Sequence, residues 1–201
     1  MKITKKVTYI SDEGFEFNFE PLEDTLEIKK TKGGFEARYL ILDQDPQSPR
    51  EWDNLGTMAC FHPDYDLGDK IDFDKPDTIK EFEEYLTKEK GAVIMLPLYL
   101  LDHSGISIST GRFSCDAQGW DTSFIGFIYV TKDDLKKEKV TKAKAKSILE
   151  GEIKTYDQYI SGDCFCIVRE DYDKAKKHLD YDVLGGYLGV DWAREALKTE
   201  I

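Results

Sequence analysis

The chain has 201 residues, 40% of them apolar and 34% charged, with a formal net charge of −12. That length supports one sizeable core and a single domain over residues 1–201, and the balance of apolar to charged residues excludes a disordered polymer. So acidic a chain repels phosphate, which sets nucleic acid aside as a direct ligand and favours a basic protein as partner.

The opening MKITKKVTYI carries lysines but no apolar core of signal-peptide length. The longest apolar run, Ala92–Leu101, falls far short of the ~20 residues that span a bilayer. A cytoplasmic location without a membrane role is expected, and Cys60, Cys115, Cys164 and Cys166 are then expected as reduced thiols. Phe15, Phe17 and Phe19 alternate with polar residues, as do Leu26 with Ile28, and Phe35, Ala37, Tyr39 and Ile41. With Gly14, Pro21 and Gly33-Gly34 as turns, residues 1–42 read as a β-meander with one buried face, ahead of a body over 43–201.

Pro46 and Pro49 keep the connection Asp43–Gly56 out of helix, with Trp52 expected to anchor it. Thr57–Phe61 reads as a short strand and Asp64–Asp74 as an acidic loop. Pro76 then opens a helix with Ile79, Phe82, Tyr85 and Leu86 on its buried stripe and Gly91 just past its end. Ala92–Leu101, Ile106–Thr110 and Phe124–Val130 read as central strands. Lys132–Lys146, with seven lysines, is helix-prone and reads as a solvated face. From Ala145 the series Ile148, Leu149, Ile153, Tyr156 and Ile160 gives a helical stripe. Cys164–Val168 and Val183–Leu188 close the β-layer, and Asp191–Thr199 forms a last helix. The expected class is α+β, with a mixed, mainly antiparallel sheet and three or so helices.

Two groups of residues carry candidate function. The first is a metal site on His62, Asp102, His103 and Cys115, with Cys60 beside His62 on one face of a strand. Zinc accepts mixed Cys, His and Asp ligands, although no standard ligand spacing is present. The same residues offer a second arrangement, in which Cys115 is a nucleophile, His103 its base, and Asp102 or Asp121 the orienting acid. The second group is acidic. Between Asp43 and Glu84 thirteen acidic residues face four basic ones, so this stretch carries most of the net charge. Asp64, Asp66, Asp69, Asp72 and Asp74 form its densest part, and such a surface can occupy a basic groove on a partner. Gly68 and Asp69 depart from the EF-hand order, so an EF-hand loop is rejected while weak divalent binding by these aspartates stays open.

Several strings resemble a family of small, functionally uncatalogued proteins of bacteriophages and conjugative elements. They are REWDNLGTMACFH (Arg50–His62), YDLGD (Tyr65–Asp69), LPLYLLDHSGISIST (Leu96–Thr110), FSC (Phe113–Cys115), GFIYV (Gly126–Val130), YDQYISGD (Tyr156–Asp163) and LGGYLG (Leu184–Gly189). The resemblance covers roughly residues 50–201. Where the family has Trp-Asp-Ser-Gly, this chain reads Trp120-Asp121-Thr122-Ser123. The resemblance implies a mobile-element accessory protein in the bacterial cytoplasm, for example one that blocks CRISPR or restriction. Combined with the acidic stretch, the leading expectation is a non-enzymatic inhibitor that binds a basic host or defence protein, with zinc as an optional component. The rival is a zinc- or Cys/His-dependent hydrolase centred on Asp102, His103 and Cys115.

Overall fold

The structure is a computed structural model that describes residues 9–71 and 76–199. In chain order it contains β1 (Tyr9–Ile10), β2 (Glu16–Phe17), β3 (Glu27–Lys30), β4 (Gly34–Leu42), β5 (Thr57–Cys60), α1 (Ile79–Lys88), β6 (Ala92–Asp102) and β7 (Ile106–Ser109). There follow β8 (Thr122–Thr131), α2 (Lys132–Lys137), α3 (Lys142–Ile160), β9 (Cys164–Asp173), β10 (His178–Leu188) and α4 (Val190–Thr199). The class is α+β as expected, and every described strand pairing is antiparallel. No helix among the described residues is long and apolar enough to cross a membrane.

The chain folds as two compact units: a terminal unit up to Gln47 and from Gly162, and a central unit from Ser48 to Ser161. In the terminal unit the sheet order is β10-β9-β4-β3, and β1-β2 form a separate ribbon. The strands expected as a meander over 1–42 are therefore half of a sheet completed by residues 164–188. Strand β4 runs along β9 from Gly34↔Asp173 to Leu42↔Phe165. Alternation assigns the faces. Ala37, Tyr39, Val168 and Tyr172 pack against Phe15 and Phe17, while Leu40, Phe165 and Ile167 pack against Ala193, Ala196 and Leu197 of α4. Both faces of β4 are thus used, which the one-sided reading of that strand missed.

The central unit is a sheet of order β5-β8-β6-β7. Consecutive residues of β8 go to opposite sides. Ile128 and Val130 meet Ala145, Leu149, Ile153 and Tyr156 of α3, and Phe127 and Tyr129 meet Phe82 and Leu86 of α1. Each such side chain contributes about 1.5–3 kcal/mol by leaving water. Gly126 is required where β5 crosses β8. Its φ is +152°, and a Cβ there would lie 1.9 Å from the Ala59 carbonyl oxygen. The basic stretch is two helices rather than one. Thr131 and Asp134 close a capping box on α2, Thr141 caps α3, and Lys139 between them takes φ +54°. These caps are local signals that the count of lysines hid.

Trp52 does not anchor its connection, being 43% exposed. Arg50 does. Its side chain is 6% exposed and donates to both oxygens of Asp69 (2.9 and 2.7 Å), to Glu152 Oε2 (3.2 Å) and to the Gly56 carbonyl (2.7 Å). The acceptors are themselves engaged: Asp69 Oδ2 takes the Met58 amide at 2.7 Å, and Glu152 Oε1 takes the Leu55 amide at 2.7 Å. A guanidinium alone offers donors in a fork that satisfies two carboxylates and a carbonyl together. Arg50→Ala is expected to lower stability by about 3–5 kcal/mol, because it strands two carboxylates. Arg50→Lys should recover less than half of that, as measured by urea unfolding followed through Trp52 and Trp120.

Candidate functional site

The turn after β6 gathers most of the residues singled out in the sequence. Ser104 (φ +57°) and Gly105 (φ +141°) reverse the chain, and the His103 amide donates to the Gly105 carbonyl at 3.0 Å. The Asp102 amide donates to the Asp121 carbonyl at 2.9 Å, which joins this turn to the loop before β8. Loop 61–66 joins the same rim, where the Tyr65 hydroxyl donates to Asp102 Oδ2 at 2.9 Å. That hydrogen bond holds the Tyr65 phenol above its ordinary pKa. The His62 ring lies 4.9 Å from that of Tyr65, and His62 Nδ1 accepts the Asp64 amide at 3.2 Å.

His103 Nδ1 is 3.0 Å from Asp121 Oδ2, with both side chains largely exposed. A carboxylate in that position fixes the ring and leaves Nε2 outward. The expected ligands nevertheless do not assemble. His62 and Asp102 are linked through Tyr65, His103 is paired with Asp121, and Cys115 lies exposed on a short turn, Ser114–Asp116. Among the described residues no three His, Cys, Asp or Glu side chains are grouped so as to hold a metal ion. As they stand, His62, Asp102 and His103 form a polar rim of pairwise bonds rather than one ligand cluster. The reason is geometric: Asp102 and Asp121 each already have a near neighbour to bond, and β5 ends at Cys60, so His62 lies in the following loop rather than beside Cys60 on one strand face.

The acidic residues separate into different roles. Asp64 and Asp66 are exposed. Asp69 is not available to a partner, since both of its oxygens bind Arg50. Gly68 (φ +75°) sets its position, because a Cβ there would lie 2.6 Å from the Met58 carbonyl. Asp72 and Asp74 lie outside the described residues. Asp43 and Asp45 belong to the terminal unit, and the rest of the acidic stretch to the central one.

Sequence reasoning missed two features. One is Trp120, 84% exposed at the tip of loop 111–121. Its amide donates to Asp116 Oδ1 at 3.0 Å and the Asp121 amide to Asp116 Oδ2 at 2.9 Å, so one carboxylate holds the loop beneath an outward ring. The signal was local, an Asp four residues before a Trp, but such turns are read only once the backbone is known. The other is Glu170, fully buried in the terminal unit. Its Oε1 accepts from the Asn18 amide (2.9 Å) and the Tyr39 hydroxyl (2.7 Å), and its Oε2 from the Tyr172 hydroxyl. Burial and this carboxylate push both phenols well above their ordinary pKa. Saturated in this way, Glu170 ties the Phe17–Phe19 segment to the sheet rather than serving as a free base.

Compared with family models, curated proteins and solved structures, the chain matches none of them.

The four thiols are free. Burial raises Cys60 to about 12, Cys164 to about 11 and Cys166 to about 12, with Asp69 adding to the first and Asp43 to the other two. A thiol must ionise to react, so these three are suppressed at pH 8. Titration with a chromogenic disulfide should therefore count one fast thiol in the native protein, lost in Cys115→Ser, and four in denaturant.

Proposed function

We propose that this chain is a non-enzymatic accessory protein of a mobile element, acting in the bacterial cytoplasm by binding a basic host or defence protein. The resemblance of Arg50–His62 and Leu96–Thr110 to phage and conjugative-element proteins supports the context. The mechanism rests on a single observation: an exposed Trp120, fixed by Asp116, on a rim that also carries Asp64, Asp66, Asp102 and Asp121. A tryptophan face amid carboxylates suits a lysine or arginine side chain, which gains cation–π and Coulomb attraction at one place. Binding energy concentrates on such rigid aromatic anchors, while surrounding charges govern encounter and salt dependence.

The alternative hydrolase has less support in the geometry. His103 does pair with Asp121, one of the two acids expected to orient it, but the pair is exposed and no hydrogen bond among the described residues links it to Cys115. For a captured partner, Trp120→Ala is expected to weaken binding about ten-fold or more. Reversal of both Asp64 and Asp66 to Lys should weaken it about three- to ten-fold, an effect that shrinks as salt rises. Calorimetry or surface plasmon resonance at two ionic strengths reads both. A partner whose affinity ignores all three substitutions overturns the reading.

A further inference from the structure

The terminal unit carries a second surface, independent of the rim. The register places Tyr181 opposite Glu170, Val183 opposite Val168, and Cys166 opposite Ile41, all on one face of the sheet. Phe15 and Phe17 cover that face around Tyr39, Val168 and Tyr172. Beyond them it is open as a trough of about 760 Å³ lined by Ile41, Leu42, Cys166, Tyr181 and Val183. Leu42 is 49%, Tyr181 43% and Val183 41% exposed. Asp43 and Asp45 stand on its lining as well, with no lysine or arginine among the residues there.

The same strand offers backbone. β10 is the outer strand of its sheet, and residues Leu179–Gly186 are exposed without a break. It lacks the proline and lysine that commonly blunt an edge. Between register shifts at His178/Asp180 and Leu184/Tyr187, its pairing with β9 is regular. The Tyr181 amide is turned to its neighbour's Asp180 Oδ1 at 2.9 Å and hence away from β9. Period-two alternation then puts the Val183 amide and carbonyl on that outer side too.

We infer that this edge and trough receive an extended segment of a partner protein in which apolar and basic residues alternate, added as a fifth strand beside β10. Its apolar residues would lie over the trough with Tyr181 and Val183, and its basic residues opposite Asp180 and Asp182 on the other face. Charge selects the occupant. Asp182 is 3.7 Å from Arg169, but its side chain is 72% exposed and remains accessible to an incoming cation. A second copy of this chain pairing through β10 would instead bring Asp180 and Asp182 of both strands together, and like charges directly opposite are unfavourable.

The test uses the full chain and a blocked, labelled peptide of alternating lysine and valine about as long as β10, followed by fluorescence anisotropy near physiological ionic strength. Saturable binding is expected for this peptide and none for the glutamate–valine analogue. Methylation of alternate backbone nitrogens, which removes the ladder donors, should weaken binding about ten-fold. Val183→Lys and Asp182→Lys should each do the same while the unfolding midpoint is unchanged, since both side chains are exposed. Asp64→Lys with Asp66→Lys should leave the peptide affinity intact. Equal binding of the two peptides, no binding of either, insensitivity to Val183→Lys, or loss of binding on reversal of Asp64 and Asp66 would each overturn the inference.

Discussion

The central unit depends on satisfying one buried guanidinium. Arg50 follows Ser48, whose hydroxyl accepts the Arg50 amide, so a single 3₁₀ turn aims the side chain inward. Four donor bonds then draw in Asp69, Glu152 and the Gly56 carbonyl. An isolated cation at this depth is prohibitively costly, so those acceptors must arrive together for the unit to fold. They come from three places in the chain: the connection before β5, the loop after it, and the middle of α3. Their meeting brings Gly56 against Leu149 and Ile128, so closely that a side chain at that glycine would require both to shift. The rim inherits its order from this clamp, because Asp69 holds the end of the loop that carries Tyr65.

The terminal unit solves the mirror problem. Glu170 is a buried carboxyl group that, among the described residues, forms no ion pair with arginine or lysine and is held by two phenols and a backbone amide, with His178 Nε2 at 3.8 Å. Neutral donors suffice because they need no desolvation of a second charge, and both phenols stay protonated far above neutral pH. One unit therefore joins distant segments with ionic pairing and the other with neutral hydrogen bonds. In each, removing the central group leaves several partners unsatisfied, which costs more than any single bond contributes.

What could be read from the sequence follows from the range of each interaction. Phe82 and Leu86 on α1, the stripe Ala145 to Tyr156 on α3, and the strands of the central sheet announce themselves through local periodicity and form as expected, although Ile79, expected on the buried stripe, is exposed and β7 lies at the sheet edge rather than its centre. Thr131-Asp134 and Thr141 also carried local information, but a run of lysines obscured two short caps. The pairing of β4 with β9 was not legible. Its partners are separated by the whole central unit, and nothing in a strand's own pattern names its neighbour. The role of Asp69 was hidden for the same reason. An aspartate in an acidic run is indistinguishable from its neighbours until Arg50 is known to lie beside it. Asp102 and His103 were correctly placed at a strand exit, and of the two acids expected to orient His103 it is Asp121 that does so, while Asp102 bonds to Tyr65.

Net charge, then, is a poor map of where this protein binds. Part of the acidic run is spent inside the molecule on Arg50, part belongs to the terminal unit, and only the exposed remainder can attract a partner. Attraction by exposed carboxylates alone is diffuse and decays within about 8 Å at physiological salt. It becomes specific only where a rigid shape accompanies it. The structure supplies such a shape twice: an indole ring held outward by the Asp116 turn, and an apolar trough beside a bare strand edge. Both combine apolar area with acidic surroundings, the combination that would suit a partner basic and apolar at once. A purely basic nucleic-acid-binding groove would satisfy the charge but leave Trp120 and the β10 edge uncovered.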